Sequence, residues 1–548
     1  MSPKTRDFAV GPLSFRIDDD TGMVRTIRFQ GHEVLRGIYP AVRDERWRTL
    51  IPVMNRPKLD SSDAGVHLHL VGQIRSEEVE ICWKADITAK RDGTLIYRWQ
   101  GRPVRSFRTN RTGICVLHPA SAAGASCRVE QTDGRVVAGA FPSSIAPHQP
   151  FSCIRAITHP IVAGLEATVR MDGEVFEMED QRNWTDASFK TYCRPLDWLK
   201  PYELGPREAV VHTVTLSFAG SPSVPRTSPL SVEHAAGSLP LALPRIGFTL
   251  HERLPLALYE RFRALRPAHV RVATTSAELN STLEWARDEA EAHGCELEIS
   301  VSGANEEAPV RSMLPPHSLV TLFDSSGDAA PPTVIRAWRA SGHTVLGTGT
   351  CNHFTELNRN PPQLNGTHTF TTFGINAQVH AFDDESLLET LTQHAVVAAQ
   401  ARVLGGDRPV SIGPIVLGPA ADTADPRLHS TFGALWTLGS LVQLAHANVA
   451  RVTYFRAHGP GGFLVKEKIT PLERLFLALA GAPRAERLVP AGAPLGVSDA
   501  LLVYHAEQRR LLVAHYGESS LDVRVVLDGA EKSLHLAPRS IREFALTA

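Results

Sequence analysis

From Asp7 to about Ala219 apolar and polar residues alternate over short runs, at residues 8–18, 23–38, 66–74, 78–89 and 94–100. Period-two alternation sends successive side chains to opposite faces, the pattern of a half-buried strand. Turn residues separate the runs, as at Arg91-Asp92-Gly93, and further strands read at 113–117, 136–139, 161–171 and 208–218. So many strands with no helical period between them predict a large N-terminal β-sandwich over residues 1–220. Ser, Pro, Ala and Gly then dominate residues 221–244, the composition of a linker.

At Arg245 the rhythm changes. Short apolar runs at 245–250, 269–273, 295–301, 318–323, 344–349, 373–379, 410–416 and 450–455 alternate with helical periods at 254–265, 276–293, 334–341, 385–403 and 432–446. Eight strands interleaved with helices predict a central (β/α)8, TIM-like barrel over 245–495. A doubly wound sheet is the alternative, but no glycine-rich nucleotide fingerprint follows any strand. Residues 496–548 revert to strands and predict a small C-terminal β-domain. The fold class is therefore multidomain α/β plus β.

Composition narrows the function classes. With 57 basic and 58 acidic residues the net charge is -1, so no global field would draw nucleic acid or an anionic membrane surface. No apolar run is long enough to span a bilayer, and the first residues carry no secretory apolar segment. Seven scattered cysteines without CxxC spacing fit reduced thiols and a cytoplasmic location. No partner beyond a small molecule and no cofactor is expected, and the oligomeric state is left open.

Candidate chemistry concentrates at the fifth barrel strand. The stretch HTVLGTGTCNHFTELNR (343–359) loses side chains at Gly347 and Gly349 and then delivers Asn352, His353, Glu356, Asn358 and Arg359. In a barrel the reactive groups belong at the C-terminal strand ends. That rule also selects Asp324 after strand four, Gln378, His380 and Asp383 after strand six, and Arg456 and His458 after strand eight. Strand seven ends with nothing ionisable until Asp422, which disfavours the paired carboxylates of a retaining glycosidase. A metal site from His353, His380 and His458 with Glu356 or Asp383 lacks any supporting ligand spacing. What remains is hydrolysis of an ester or lactone, with Glu356 as base and His380 as acid or oxyanion donor. Asn352, Asn358 and Arg359 would hold substrate hydroxyls.

Residues 174–196 (EVFEMEDQRNWTDASFKTYCRPL) are unlike ordinary sandwich sequence, with carboxylates and amides interleaved with aromatic rings as a sugar-like ligand requires. The strings EDQRNWTDASFKTY (179–192), FTELNR (354–359), RTGICVLHP (111–119) and GINAQVHAFDD (374–384) resemble the D-apionate lactonase family of bacterial apiose catabolism. The resemblance implies hydrolysis of the branched sugar lactone D-apionolactone to D-apionate. It also offers the barrel a second acidic group, because residues 174–196 could close over its mouth. On that reading Glu179 joins the catalytic set and Asp180, Asn183, Lys190 and Tyr192 the substrate-binding set, to which Asp324 and Asp383 belong by their place at strand ends. The alternatives are a glycosidase-like enzyme using Glu356 and a non-catalytic carbohydrate-binding scaffold.

Overall fold

The computed structural model describes residues 5–221, 238–307, 314–315, 317–343, 345–365, 368–380, 382–418, 425–482, 484–488, 498–505, 509–527 and 530–546. Asp422 and residues 222–237 of the predicted linker lie outside them. The chain forms two compact units. One comprises Met1–Arg182 with Ala187–Pro229, the other Asn183–Asp186 with Leu230–Ala548.

Among its described residues the first unit is antiparallel β, with eighteen strands (β1–β18) between Thr5 and Gly220 joined in one hydrogen-bonded system. Alternation does the sorting. Leu70, Ile87, Trp99, Ile114 and Leu216 all turn into one apolar core. The tight turn expected at Arg91-Asp92-Gly93 forms there, with Gly93 at φ +94 and Thr94 N–H donating to Asp92 Oδ1. Strands β15 (Phe176–Asp180) and β16 (Ser188–Cys193) pair with Glu177 opposite Tyr192 and Glu179 opposite Lys190. Phe176, Met178, Phe189 and Cys193 enter the core. Glu177, Glu179, Lys190 and Tyr192 therefore share the other face.

In the second unit eight parallel strands close a barrel: β20 (Arg245–Thr249), β21 (His269–Thr275), β22 (Glu296–Ser302), β23 (Leu319–Leu322), β24 (Leu346–His353), β25 (Phe370–Asn376), β26 (Val410–Val416) and β27 (Arg451–Arg456). Ring closure is the β20–β27 pairing. Because both faces are covered, the strands read as apolar runs rather than alternating ones.

Three departures from the sequence reading bear on function. Strand β24 runs four residues beyond its expected end, and FTELNR, where no helical period is read, forms helix α4 (Phe354–Arg359). Phe354 and Leu357, three apart and buried, give that helix an apolar stripe too short to register as a period. Strand β25 begins and ends three residues earlier than expected, so Gln378 and His380 lie in the loop after it. Finally, Ser238–Leu241 in the expected linker and Arg484–Leu488 in the expected barrel are strands β19 and β28. They pair with each other and extend the C-terminal sheet β19-β28-β29-β30-β33, which includes Ser498–Tyr504, Arg509–His515 and Ser540–Leu546. The barrel helices accordingly end with α7 (Pro471–Leu479). Strands of four or five residues give no periodicity to read. Among the described residues no helix is long and apolar enough to cross a membrane.

Candidate active site

The tip of the 174–196 segment belongs to the barrel unit. Asn183–Asp186 cluster with the barrel, whereas the residues on either side cluster with the β domain. Three contacts fix the tip. Asn358 Nδ2 on α4 donates to Asn183 Oδ1 at 2.8 Å, and Gln400 Nε2 donates to Asn358 Oδ1 at 2.9 Å. The Trp184 ring stands edge-on to His380 at 5.4 Å and to His353 at 6.0 Å, with the Arg359 guanidinium 6.0 Å from its centroid. Asp186 Oδ2 lies 2.7 Å from His380 Nδ1. Between Trp184 and Asp186, Thr185 takes a left-handed backbone at φ +64. A β-branched residue there costs about 1–3 kcal/mol and persists only where its surroundings hold it. The turn aims Trp184 and Asp186 at the same imidazole.

Glu356, in the first turn of α4, accepts the His353 backbone N–H at 3.0 Å, completing the helix cap. Burial pushes its carboxyl above the ordinary glutamate value, against the lowering effect of hydrogen bonds and Arg359. Burial also pushes the His353 imidazole down, and the charge of His380 acts in the same direction. The two imidazoles around Trp184 thus differ in kind. His353 is pushed toward its neutral form, and His380 faces the Asp186 carboxylate. Four residues upstream of His353 in β24 is Gly349, at φ +149, where a Cβ would meet Thr372 O at 2.1 Å. Only glycine lets β24 run this close to β25.

The structure distributes the expected site residues unevenly. His380, Arg359 and Asn358 all contact the Asn183–Asp186 tip, and Glu356 stands in the first turn of the same helix as Arg359, although Asn358 and Asn183 spend side-chain groups on each other and hold the tip in position. Asn352 is exposed at the end of β24. Asp324 is drawn into its own turn, accepting N–H groups of Ser326 at 2.8 Å and Asp328 at 3.0 Å. Asp383 is the N-cap of helix α5 (Asp384–Leu404), accepting from Ser386 N–H at 2.9 Å.

In the β domain Asp180 is fully buried and accepts four hydrogen bonds. They come from Arg182 Nε at 2.8 Å, Arg182 Nη2 at 2.7 Å, Arg182 N at 3.2 Å and Ala146 N at 3.0 Å. This corrects its assignment to substrate binding, since a carboxylate engaged on every side braces the chain. Glu179 accepts from Gln181 Nε2 at 2.9 Å. Tyr192 donates to Glu177 at 2.7 Å, with the Arg111 guanidinium 3.6 Å over its ring.

Lys190 is buried, and desolvation followed by the Arg43 charge pushes its ammonium down to about 8. Keeping it charged near pH 7 costs roughly 3 kcal/mol, at about 1.4 kcal/mol per tenfold change in acidity. Below pH 8 that cost is present in full. As pH rises the folded state gives up its proton before the unfolded state does, and the cost fades. Lys190→Met is therefore expected to raise the stability of the folded chain by about 1–3 kcal/mol at pH 7. The gap to wild type narrows above pH 8, as urea unfolding at pH 7 and 9.5 checks.

Two residues outside the expected site set emerge, Asp186 and Trp184. Both lie inside the conspicuous polar string, yet only their contacts with residues 353–380 single them out. Among the described residues no group of three or more His, Cys, Asp or Glu side chains is placed to hold a metal ion.

The D-apionate lactonase N-terminal domain matches residues 1–221, and the D-apionate lactonase TIM barrel domain matches residues 250–484. The chain belongs to the D-apionate lactonase family. A D-apionate lactonase from Brucella anthropi is 29% identical over 529 residues, covering 85% of this chain and 84% of that protein. Among solved structures, a GH30 endoxylanase from Clostridium papyrosolvens shares 11% identity at a TM-score of 0.40, covering 57% of this chain and 98% of its own. A beta-arabinopyranosidase shares 10% identity at a TM-score of 0.30, covering 98% of both chains. Homology to D-apionate lactonase supports a hydrolase role.

Proposed function

We propose that this protein hydrolyses a sugar-acid lactone, D-apionolactone, to D-apionate. The observation that carries the reading is the Asp186–His380 pair, 2.7 Å apart, in the cluster that Trp184 and α4 build with Glu356. Glu356 as carboxylate removes a proton from water while the water oxygen bonds to the lactone carbonyl carbon. The ring C–O bond then breaks, and the departing alkoxide takes a proton from the His380 imidazolium. Asp186 holds that imidazolium in place and balances its charge. The site resets when one proton passes from Glu356 to His380. The product carboxyl loses its own proton to solvent, so each lactone releases one acid equivalent. Arg359 and Trp184 offer a cation and an aromatic face to the polyol. Seven unpaired cysteines support the expected cytoplasmic setting.

Acid release from D-apionolactone in a pH-stat tests the reading, and absence of turnover sinks it. Asp186→Asn keeps the shape and removes the charge facing His380. Turnover is expected to fall about a hundredfold, toward the low end of what a positioned acid supplies. If Asp186→Asn matches wild type across the pH profile, His380 acts without this partner.

A further inference from the structure

The loop that carries His380 is tied down by one side chain. Arg427 stands in a short helical turn, Pro426–His429, on the segment that follows β26. Its guanidinium reaches the chain just past the imidazole. Nη2 donates to Phe382 O at 2.7 Å, and Nη1 donates to Asp384 Oδ1 at 2.5 Å. Nε and Nη2 also donate to Asp425, at 2.9 Å to Oδ1 and 2.6 Å to Oδ2. Asp425 in turn accepts from Gln378 Nε2 at 2.5 Å. Gln378 and Phe382 each lie two residues from His380, so the loop is held on both sides of it. A further tie comes from the C-terminal sheet. Arg539, which directly precedes the strand Ser540–Leu546, donates from Nη1 to Asp384 Oδ2 at 2.9 Å. Asp384 therefore bridges two guanidiniums.

Helix α5 does not need this help to start, because Asp383 already caps it. What Arg427 fixes is the path of the chain on either side of His380. One task of His380 depends on that path. Its Nδ1 stays 2.7 Å from Asp186 Oδ2, with the Trp184 ring edge-on beside it. The His380 side chain is 15% exposed, so solvent reaches it and close packing does not hold it alone. Catalytic groups are held to within about 0.5 Å, and a displacement of about 1 Å costs about a hundredfold in rate. A planar fork with several fixed donors resists such drift better than one flexible ammonium. The segment after strand seven thus lends the site a clamp in place of a glycosidase carboxylate.

We propose that Arg427 is a positioning residue for His380, fixing the loop so that the imidazole meets Asp186 and the departing alkoxide together. This assignment rests on the lactonase reading, so its test has one arm that needs no turnover. In that arm diethyl pyrocarbonate modifies accessible imidazoles of the full-length protein, and mass spectrometry locates them. Arg427→Lys keeps the charge without the fork. It is expected to raise the labelling rate of His380 roughly fivefold or more over wild type, as the loop opens locally. Exposed His535 is expected to label at its wild-type rate, and buried His394 of α5 to stay unlabelled. In the turnover arm Arg427→Lys is expected to lose about 10–100-fold in kcat with little change in KM. The same substitution in a His380→Gln background is expected to cost less than about threefold, because the group it positions is already gone. Asp384→Asn removes the charge that joins Arg427 to Arg539, and carries both arms should Arg427→Lys not fold. Its expected rise in His380 labelling is about twofold.

Unchanged His380 labelling in the folded variants overturns the proposal, as does an equal loss of kcat with and without His380. Labelling of His394 together with His380 also overturns it, because Arg427 would then support the fold at large. If wild type turns over no D-apionolactone while His380 labelling responds as expected, the lactonase reading falls and the clamp on His380 stands.

Discussion

Glu356→Gln is expected to lower D-apionolactone turnover by roughly a thousandfold, within the 10²–10⁴ range that a positioned general base contributes. The amide keeps the acceptor that caps α4 through His353 N–H, so the helix survives and the loss is chemical. The pH profile adds a signature. Burial raises the Glu356 carboxyl, so the base is present above that raised value and is lost as pH falls through it. The acid limb of kcat/KM in wild type therefore lies above the ordinary glutamate value of about 4.3. The residual turnover of Glu356→Gln is expected to lack that limb. Steady-state rates from about pH 4 to 9 measure both. A variant that keeps wild-type turnover, with its acid limb in place, would assign the base elsewhere.

The second large effect is on stability. Asp180 and Arg182 are 0% and 3% exposed at their side chains, and Arg182 also donates to the carbonyls of Pro142 at 2.7 Å, Ser143 at 3.2 Å and Ser144 at 3.2 Å. Its guanidinium lies 4.6 Å from the Phe189 ring centroid. Arg182→Met leaves the Asp180 charge buried without its counter-ion. Breaking such a pair from one side costs about 3–5 kcal/mol. Urea unfolding followed by tryptophan fluorescence is expected to show the loss, and adding Asp180→Leu is expected to restore part of it. Equal stability of the single and double variants would mean that the carbonyl contacts, rather than the ion pair, carry the effect. Because Arg182 directly precedes the Asn183–Asp186 tip, the single variant is also expected to slow turnover.

The candidate site was legible in part. Glu356 follows from placing β24 fifth among the barrel strands, since strand order alone sends its C-terminal end to the catalytic face. His380 follows from the same rule, even though β25 stops four residues before it. Asp324 and Asp383 fit the rule equally well and are consumed by local duties, a turn and a helix cap. Short polar side chains near strand ends and helix starts serve both purposes with the same sequence signature. Asp180, Asp186 and Glu179 stand within eight positions of one another, and nothing in the string separates the brace from the partner of an imidazole.

Sequence by itself determined the run of β strands, the eight-strand barrel and the polar string, because period, turn chemistry and composition are local properties of the chain. It also placed Glu356 at the reactive end of its strand. Tertiary structure decided the rest. It assigned four residues of a β-domain segment to the barrel unit, paired Asp186 with His380 across 194 positions, and tied the His380 loop to Arg427. Each depends on which side chains share a small volume after folding. Pairing energies between distant positions leave no periodic mark on the sequence, so only the folded chain shows which of several like residues have met.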